Sequence, residues 1–371
     1  MCKLERHSTR YINALLVLCI CVSVSFGAVS DAWAEDQVCV GAHAVEVEEV
    51  VIYRAPEDMR PGWACWVSVW QDREKNVYAA FEEIRKGKNP HWKPASIECW
   101  ESMGLPVDYQ STLYGGSPNL VSYEVIMKST DGEKSFEEFA RNYSVAAAFW
   151  PGWATLPDGR FIKVVMNGYS PQLRADEKMA MWAEISEDGR TWQRAGTVLE
   201  GYFTYPHRLK VLSDGRLALA GNYLAEYGPG RARIQRNSKR PFVKSNEAIA
   251  ALWISADQGM TWSAPILIFG GEDSSEPDFV ELPSGDLLFL NSFVQGGPQM
   301  RQYLRKSGDT FIPEPALNIV SGVVPECSVY TRSGLLIGAV RSYNYYCSND
   351  EGANWYEIQG APFPSYQPTV I

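Results

Sequence analysis

Short apolar runs alternate along this chain with glycine-containing turns, and the runs come in pairs. Val67–Trp70 and Val77–Phe81 flank Asp72–Asn76, and Phe279–Leu282 and Leu287–Leu290 flank Pro-Ser284-Gly285-Asp286. Two β-rich runs joined by such a turn predict a hairpin. The turn phrase recurs as Leu156-Pro-Asp158-Gly159-Arg160, Leu212-Ser-Asp214-Gly215-Arg216 and Thr331-Arg-Ser333-Gly334-Leu335. A proline stands a few residues before each pair, at Pro61, Pro151, Pro206, Pro277, Pro325 and Pro368. Proline is tolerated at the first residue of a strand, so these positions predict strand starts.

A second phrase closes each unit. It reads Ser255-Ala-Asp257-Gln-Gly259-Met-Thr261-Trp262 and Ser348-Asn-Asp350-Glu-Gly352-Ala-Asn354-Trp355. Ser186-Glu-Asp188-Gly189-Arg-Thr191-Trp192 is one residue shorter, and Ser129-Thr-Asp131-Gly132 with Phe136 and Ser307-Gly-Asp309-Thr310-Phe311 are degenerate copies. Aspartate bonds the backbone of a tight turn and glycine accepts positive φ. The aromatic that follows is placed to pack between neighbouring units.

The order proline, strand, glycine turn, strand, aspartate phrase repeats about every 45 to 70 residues, which signals a propeller or a similar array. Five units are complete, at residues 58–140, 148–200, 204–268, 274–317 and 322–360. A sixth begins at Ser365 and stops at Ile371. The expected fold is all-β: a six-bladed β-propeller over residues 58–371, with the sixth blade incomplete in this chain. Residues 35–57 form an N-terminal segment, and its stretch Val45–Tyr53 is the other candidate for closing the ring. Residues 85–122 read as a long insertion in the first unit. Residues 225–247 read as a second one, with six Arg and Lys between Arg231 and Lys244.

Composition narrows the partners. The net charge of −10 argues against nucleic acid. Thirteen Trp and nineteen Tyr supply rings for blade seams or for stacking on sugars. Lys3, Arg6 and Arg10 precede an apolar run from Ala14 to Val29, and Ala32-Trp33-Ala34 offers a cleavage site. Residues 1–34 therefore read as a signal peptide, and the protein as secreted or periplasmic, without a membrane span. Cys39, Cys65, Cys99, Cys327 and Cys347 remain after cleavage. One or two disulfides are open to them in an oxidising compartment, with the pairing unset. The cysteine spacings match no zinc pattern, and four His give no metal site. No cofactor motif occurs: there is no phosphate-cradling glycine loop and no nucleophile elbow. The sequence sets no oligomeric state.

The inner strands of a propeller converge on its channel, so the residues beside the opening prolines are the candidate site. They include Arg60, Trp153, His207, Arg208, Asp278 and Glu326. Aromatic, cationic and carboxylate side chains together suit a glycan or small carbohydrate.

The aspartate phrases resemble the Asp boxes, or BNR repeats, of the sialidase superfamily. The resemblance covers nearly all of the chain after residue 34. Glu276-Pro-Asp-Phe-Val-Glu281-Leu282-Pro-Ser-Gly285 resembles the sialidase segment whose glutamate acts as base to a tyrosine. Ser365-Tyr366-Gln-Pro-Thr-Val-Ile371 resembles the strand that carries that tyrosine. The resemblance implies an exo-acting glycoside hydrolase with Tyr366 as nucleophile and Glu276 as its base. It makes Asp108 the candidate acid and Arg54, Arg60, Arg208 and Arg341 the candidate substrate arginines. A carboxylate beside a phenol accepts its proton, and a neutral nucleophile suits an anionic sugar. Guanidinium forks match carboxylates. The sequence departs from the family near Ser292, where an arginine is expected and absent. A non-catalytic carbohydrate-binding or scaffold propeller is the second reading. Glu276 with Glu326 as a conventional acid–base pair is the alternative chemistry.

Overall fold

A computed structural model describes residues 14–19, 39, 42–44, 48–54, 63–88, 120–132, 134–143, 152–166, 180–202, 204–224, 248–269, 277–291, 299–340 and 344–361. The strands among them pair antiparallel, and two isolated bridges, His43 with Gln359 and Ser321 with Asn354, are parallel. A ribbon comes first, pairing β1 (Ala14–Cys19) with β2 (Glu48–Arg54). Five sheets of consecutive strands follow. The first holds β3 (Trp63–Gln71), β4 (Val77–Lys86), β5 (Leu120–Ser129) and β6 (Glu137–Tyr143). The second holds β7 (Gly152–Thr155), β8 (Phe161–Met166), β9 (Ala180–Ser186) and β10 (Gln193–Glu200). The third holds β11 (Thr204–Val211), β12 (Leu217–Leu224), β13 (Ala248–Ser255) and β14 (Ile266–Leu267). The fourth holds β15 (Asp278–Glu281), β16 (Leu287–Asn291), β17 (Met300–Ser307), β18 (Thr310–Pro313) and the short β19 (Leu317–Asn318). The fifth holds β20 (Cys327–Tyr330), β21 (Leu336–Ala339), β22 (Tyr345–Ser348) and β23 (Tyr356–Glu357).

These sheets are propeller blades, and the described residues contain five of them, not six. Each complete repeat unit forms one blade. The residues where a sixth unit was expected, from Ser365 on, lie outside the described residues.

The turn chemistry follows the sequence. Gly159, Gly215, Gly285 and Gly334 close the first hairpins of blades 2 to 5 with positive φ. In the aspartate phrases, Asp257 Oδ1 accepts from Ser255 Oγ at 2.9 Å and from Thr261 N at 2.8 Å. Ser255 Oγ in turn accepts from Gly259 N at 2.8 Å. The 348–355 turn repeats this bonding. Gly259 must be glycine twice over: its φ is +90°, and a Cβ would sit 2.7 Å from Ile162 of the preceding blade. Pro206 does not open its strand as expected. It is the third residue of β11, opposite Gly221 and beside a register shift between Pro206 and Arg208, the kind of irregularity at which strands admit proline.

The core lies between blades. The second strands β8 and β16 are buried along their whole length, because blades cover both of their faces. Trp70, Tyr78, Trp153 and Phe161 join blades 1 and 2. Phe279, Phe289, Ala220 and Leu252 join blades 3 and 4, and Leu288, Leu290, Leu336 and Trp355 join blades 4 and 5. Each fully buried large side chain contributes about 1.5–3 kcal/mol. Trp355 fills a seam as its place in the phrase predicted.

The N-terminal segment touches both ends of the array. Ala44 N donates to Gln359 O at 2.8 Å and Gln359 N to Ala42 O at 2.9 Å, beyond the outer strand of blade 5. Ile52 and Tyr53 of β2 pack on Ala79, Phe81 and Val125 of blade 1.

Candidate functional site

The innermost strands β3, β7, β11, β15 and β20 surround a channel of about 410 Å³. The tight hairpin and aspartate turns stand at one end of it. The starts of β7, β11, β15 and β20 stand at the other end, so the residues beside the opening prolines meet there. That is the mouth the sequence singled out.

Asp278 is the fixed point of this mouth. It opens β15 and is 2 % exposed. Its Oδ2 accepts from Ser328 N of blade 5 at 2.7 Å. Its Oδ1 lies 3.1 Å from Lys210 Nζ and 3.7 Å from Arg208 Nε, both on blade 3. The carboxylate therefore ties three blades together and holds two cations beside the channel. Lys210 Nζ also donates to the Phe279 carbonyl and lies over the Phe279 ring. Arg208 and Lys210 are two apart on one strand, so the pleat turns both to the same face. Lys210 was not among the sequence candidates, although that alternation marked it.

His207 is buried and lines the channel. Glu326 is buried just before β20, and its N–H donates to Ala339 O at 3.0 Å. Cys327 and Ser328 follow it along the channel wall. Burial pushes the Cys327 thiol up to about 12, so it is protonated at neutral pH. Trp153 is 4 % exposed. It stacks on Trp70 at 5.6 Å, meets Trp192 edge-on at 5.1 Å, and has Lys163 Nζ above it. Its ring fills the seam between blades 1 and 2 rather than offering a free sugar platform.

Arg208, Asp278, His207 and Trp153 thus line one channel, and Glu326 stands just before the inner strand β20. Arg54 ends β2, and its side chain lies outside the described residues. Tyr366, Glu276, Asp108, Arg60 and Arg341 also lie outside them, as does the basic run 231–244.

Two charged clusters escaped the sequence reading. Lys163 of β8 pairs with Glu124 of β5 at 2.5 Å and with Glu184 of β9 at 3.4 Å, beneath Trp192. Glu83 of β4, fully buried, accepts from Tyr53 Oη and from Arg141 Nη1, the latter at 3.1 Å. This is a Tyr–Glu–Arg group of the kind expected at the site, but it lies on blade 1 beside β2 and does not line the channel. Among the described residues no group of three His, Cys, Asp or Glu is placed to hold a metal, and no helix is long and apolar enough to cross a membrane.

Comparison with solved structures agrees on the architecture. The fold is that of sialidases and arabinanases. Penicillium chrysogenum α-L-arabinanase, solved with arabinobiose, is similar with a TM-score of 0.53 and 14 % identity, over 86 % of this chain and 87 % of that one. The Hadza microbial sialidase Hz136 gives 0.52 at 14 % identity, over 84 % of this chain and 62 % of its own. The intramolecular trans-sialidase of Ruminococcus gnavus, solved with oseltamivir carboxylate, gives 0.50 at 11 % identity, over 84 % and 89 %. At such identities the likeness concerns the fold alone. No family model matches the chain, and no curated protein matches it significantly.

Proposed function

We propose that this protein is an exported glycoside hydrolase that removes terminal sugars from a glycan at the strand-start mouth of the channel. The observation that carries the reading is the meeting of Arg208, Asp278 and His207 along one channel, with Glu326 just before the adjoining inner strand. Charged groups in that setting orient hydroxyls and a substrate carboxylate, and buried carboxyls supply acid and base. The solved structures of similar fold include enzymes named for sialic acid and arabinan chemistry, which supports a carbohydrate substrate.

The finer reading is sialidase-like. Glu276 stands two residues before Asp278 in the chain, and Tyr366 is the nucleophile that the family resemblance implies. Glu276 takes the phenol proton as Tyr366 attacks the anomeric carbon, and the aglycone leaves with a proton from an acid, for which Asp108 is the candidate. Arg208 and Arg341, with Arg54 or Arg60, hold the sugar carboxylate.

A second reading takes Glu276 with Glu326 as a conventional acid–base pair acting on a neutral sugar, since Asp278 already occupies Arg208 and Lys210. The test is turnover of a fluorogenic sialoside beside arabinoside, neutral and uronic-acid panels. Sialoside release that is lost in Tyr366→Phe and Glu276→Gln supports the first reading. Turnover that survives Tyr366→Phe but fails in both Glu276→Gln and Glu326→Gln supports the second. Silence on every substrate, with sugar binding retained, overturns catalysis and leaves a binding propeller.

A further inference from the structure

Two thiols 308 positions apart in the chain meet inside the molecule. Cys39 is 1 % exposed and Cys347 3 %. The Cys347 thiol donates to the Cys39 carbonyl at 3.9 Å. The neighbouring Cys347 thiol and burial raise the pKa of Cys39, and Cys39 in turn lowers that of Cys347. The backbone on both sides is pinned. Cys347 sits in β22, which is paired on both edges, by β21 and β23. Residues 42–44 bond to Gln359 just beyond β23. Both sulfurs lie in one apolar cluster with Ala42, Ala339, Tyr345 and Ile358. Cys327 shares the cluster, but its sulfur faces the Ala339 carbonyl at 4.0 Å.

We propose that Cys39 and Cys347 are oxidised to a disulfide that fastens the N-terminal segment to the fifth blade. The oxidant is a disulfide donor, either a thiol–disulfide oxidoreductase or oxidised glutathione. One protein thiolate attacks the donor disulfide and one donor sulfur leaves as a thiolate. The second protein thiolate then displaces the other donor sulfur. One S–S bond breaks and one forms, and two electrons and two protons pass to the donor. The geometry supplies the reason for a covalent tie. Ala42 and Ala44 bond to the blade through the Gln359 backbone, and attachment by isolated hydrogen bonds rather than a ladder is weak. A bridge across so long a span removes a large loop-closure entropy from the unfolded chain.

Both thiols are buried, so the full reduced chain is incubated with oxidised glutathione in low urea. It is then alkylated and digested without reduction. The expected product is one linked peptide pair containing Cys39 and Cys347. Reductant should lower the Tm of the oxidised protein by about 3–8 °C. Cys39→Ser and Cys347→Ser should each sit at the reduced value and ignore reductant, whereas Cys327→Ser keeps the response. Recovery of Cys39 and Cys347 as separate alkylated or glutathione-capped peptides overturns the proposal, as does a linkage to any other cysteine. No activity is read, so the outcome is independent of the glycosidase reading.

Discussion

Lys163 offers the sharpest test of how the blades hold together. Its ammonium lies 2.5 Å from Glu124 on the neighbouring blade and 3.4 Å from Glu184 on its own. The Lys163 and Glu124 side chains are 5 % and 8 % exposed. At an effective dielectric near 20 the closer contact is worth about 7 kcal/mol of attraction before desolvation. Desolvating both ions offsets most of that, so the pair itself is near break-even. Removing one partner is different, because it strands a buried charge. Lys163→Met keeps the volume and removes the cation, and it should cost about 3–5 kcal/mol. Loss of the cation over Trp192 adds about 1 kcal/mol. Glu124→Gln in the same background should restore most of the loss. Equilibrium urea unfolding at pH 7, followed by tryptophan fluorescence, gives the four corners of the double-mutant cycle. The coupling should exceed about 2 kcal/mol and change little between 0.1 and 1 M NaCl, since buried pairs are poorly screened. A Lys163→Met cost below about 1 kcal/mol, or a coupling that salt abolishes, would refute a sealed pair and place water in the seam.

Three further outcomes follow from particular residues. Asp278→Asn keeps the shape but leaves Arg208 and Lys210 facing each other, and these cations are 23 % and 32 % exposed; the expected loss is about 2 kcal/mol, read from the urea midpoint, and a neutral result would mean that solvent already screens them. Gly152→Ala puts a Cβ 2.3 Å from Leu209 Cβ and 2.9 Å from Leu209 N, so the inner strands of blades 2 and 3 must part; a cost of about 1–3 kcal/mol is expected in thermal unfolding, and an unchanged Tm contradicts the contact. Hydrogen bonds led by the Ser135 hydroxyl for Asp131, and by the Thr191 backbone N–H for Asp188, hold both carboxyls at about 2. A depressed folded value means stability present above the unfolded value of about 3.9 and lost as pH falls toward 2; the urea midpoint should drop across that window, and Asp131→Asn with Asp188→Asn should flatten the drop.

The local grammar of this chain was legible because its turns are chemically specified. The positions Gly159, Gly215, Gly285 and Gly334 announced the hairpins, and Asp257 and Asp350 announced the outer turns. Blade number was harder. A repeat is read from its start, and the seven residues from Ser365 look like a start whatever follows them in space. At the mouth, position beside a proline pointed to Asp278, Arg208 and Trp153; the first two form one ion-paired group, and the Trp153 ring packs in a blade seam, which a ring at a strand start serves as readily as a sugar. Lys163 and Glu124 stayed hidden, since hydrophobic periodicity treats a charge within a strand as solvent-facing, and only the neighbouring blade reveals otherwise. The meeting of Cys39 with Cys347 depends on the whole array, so spacing held no trace of it.

The hydrogen bonds from residues 42–44 to Gln359 also bear on the order in which the molecule is made. Each blade is built from consecutive strands, so it can pair as soon as its own residues leave the ribosome. Ala44 is different, for its partner lies about 315 residues downstream. At about 5–20 residues per second that delay is roughly 15–60 s. Throughout it the stretch 42–44 lacks its partner on the fifth blade, while four blades take shape behind it. Its attachment is therefore among the last events of folding, and the interval before it is when the segment is open to a chaperone, a protease or a thiol oxidant.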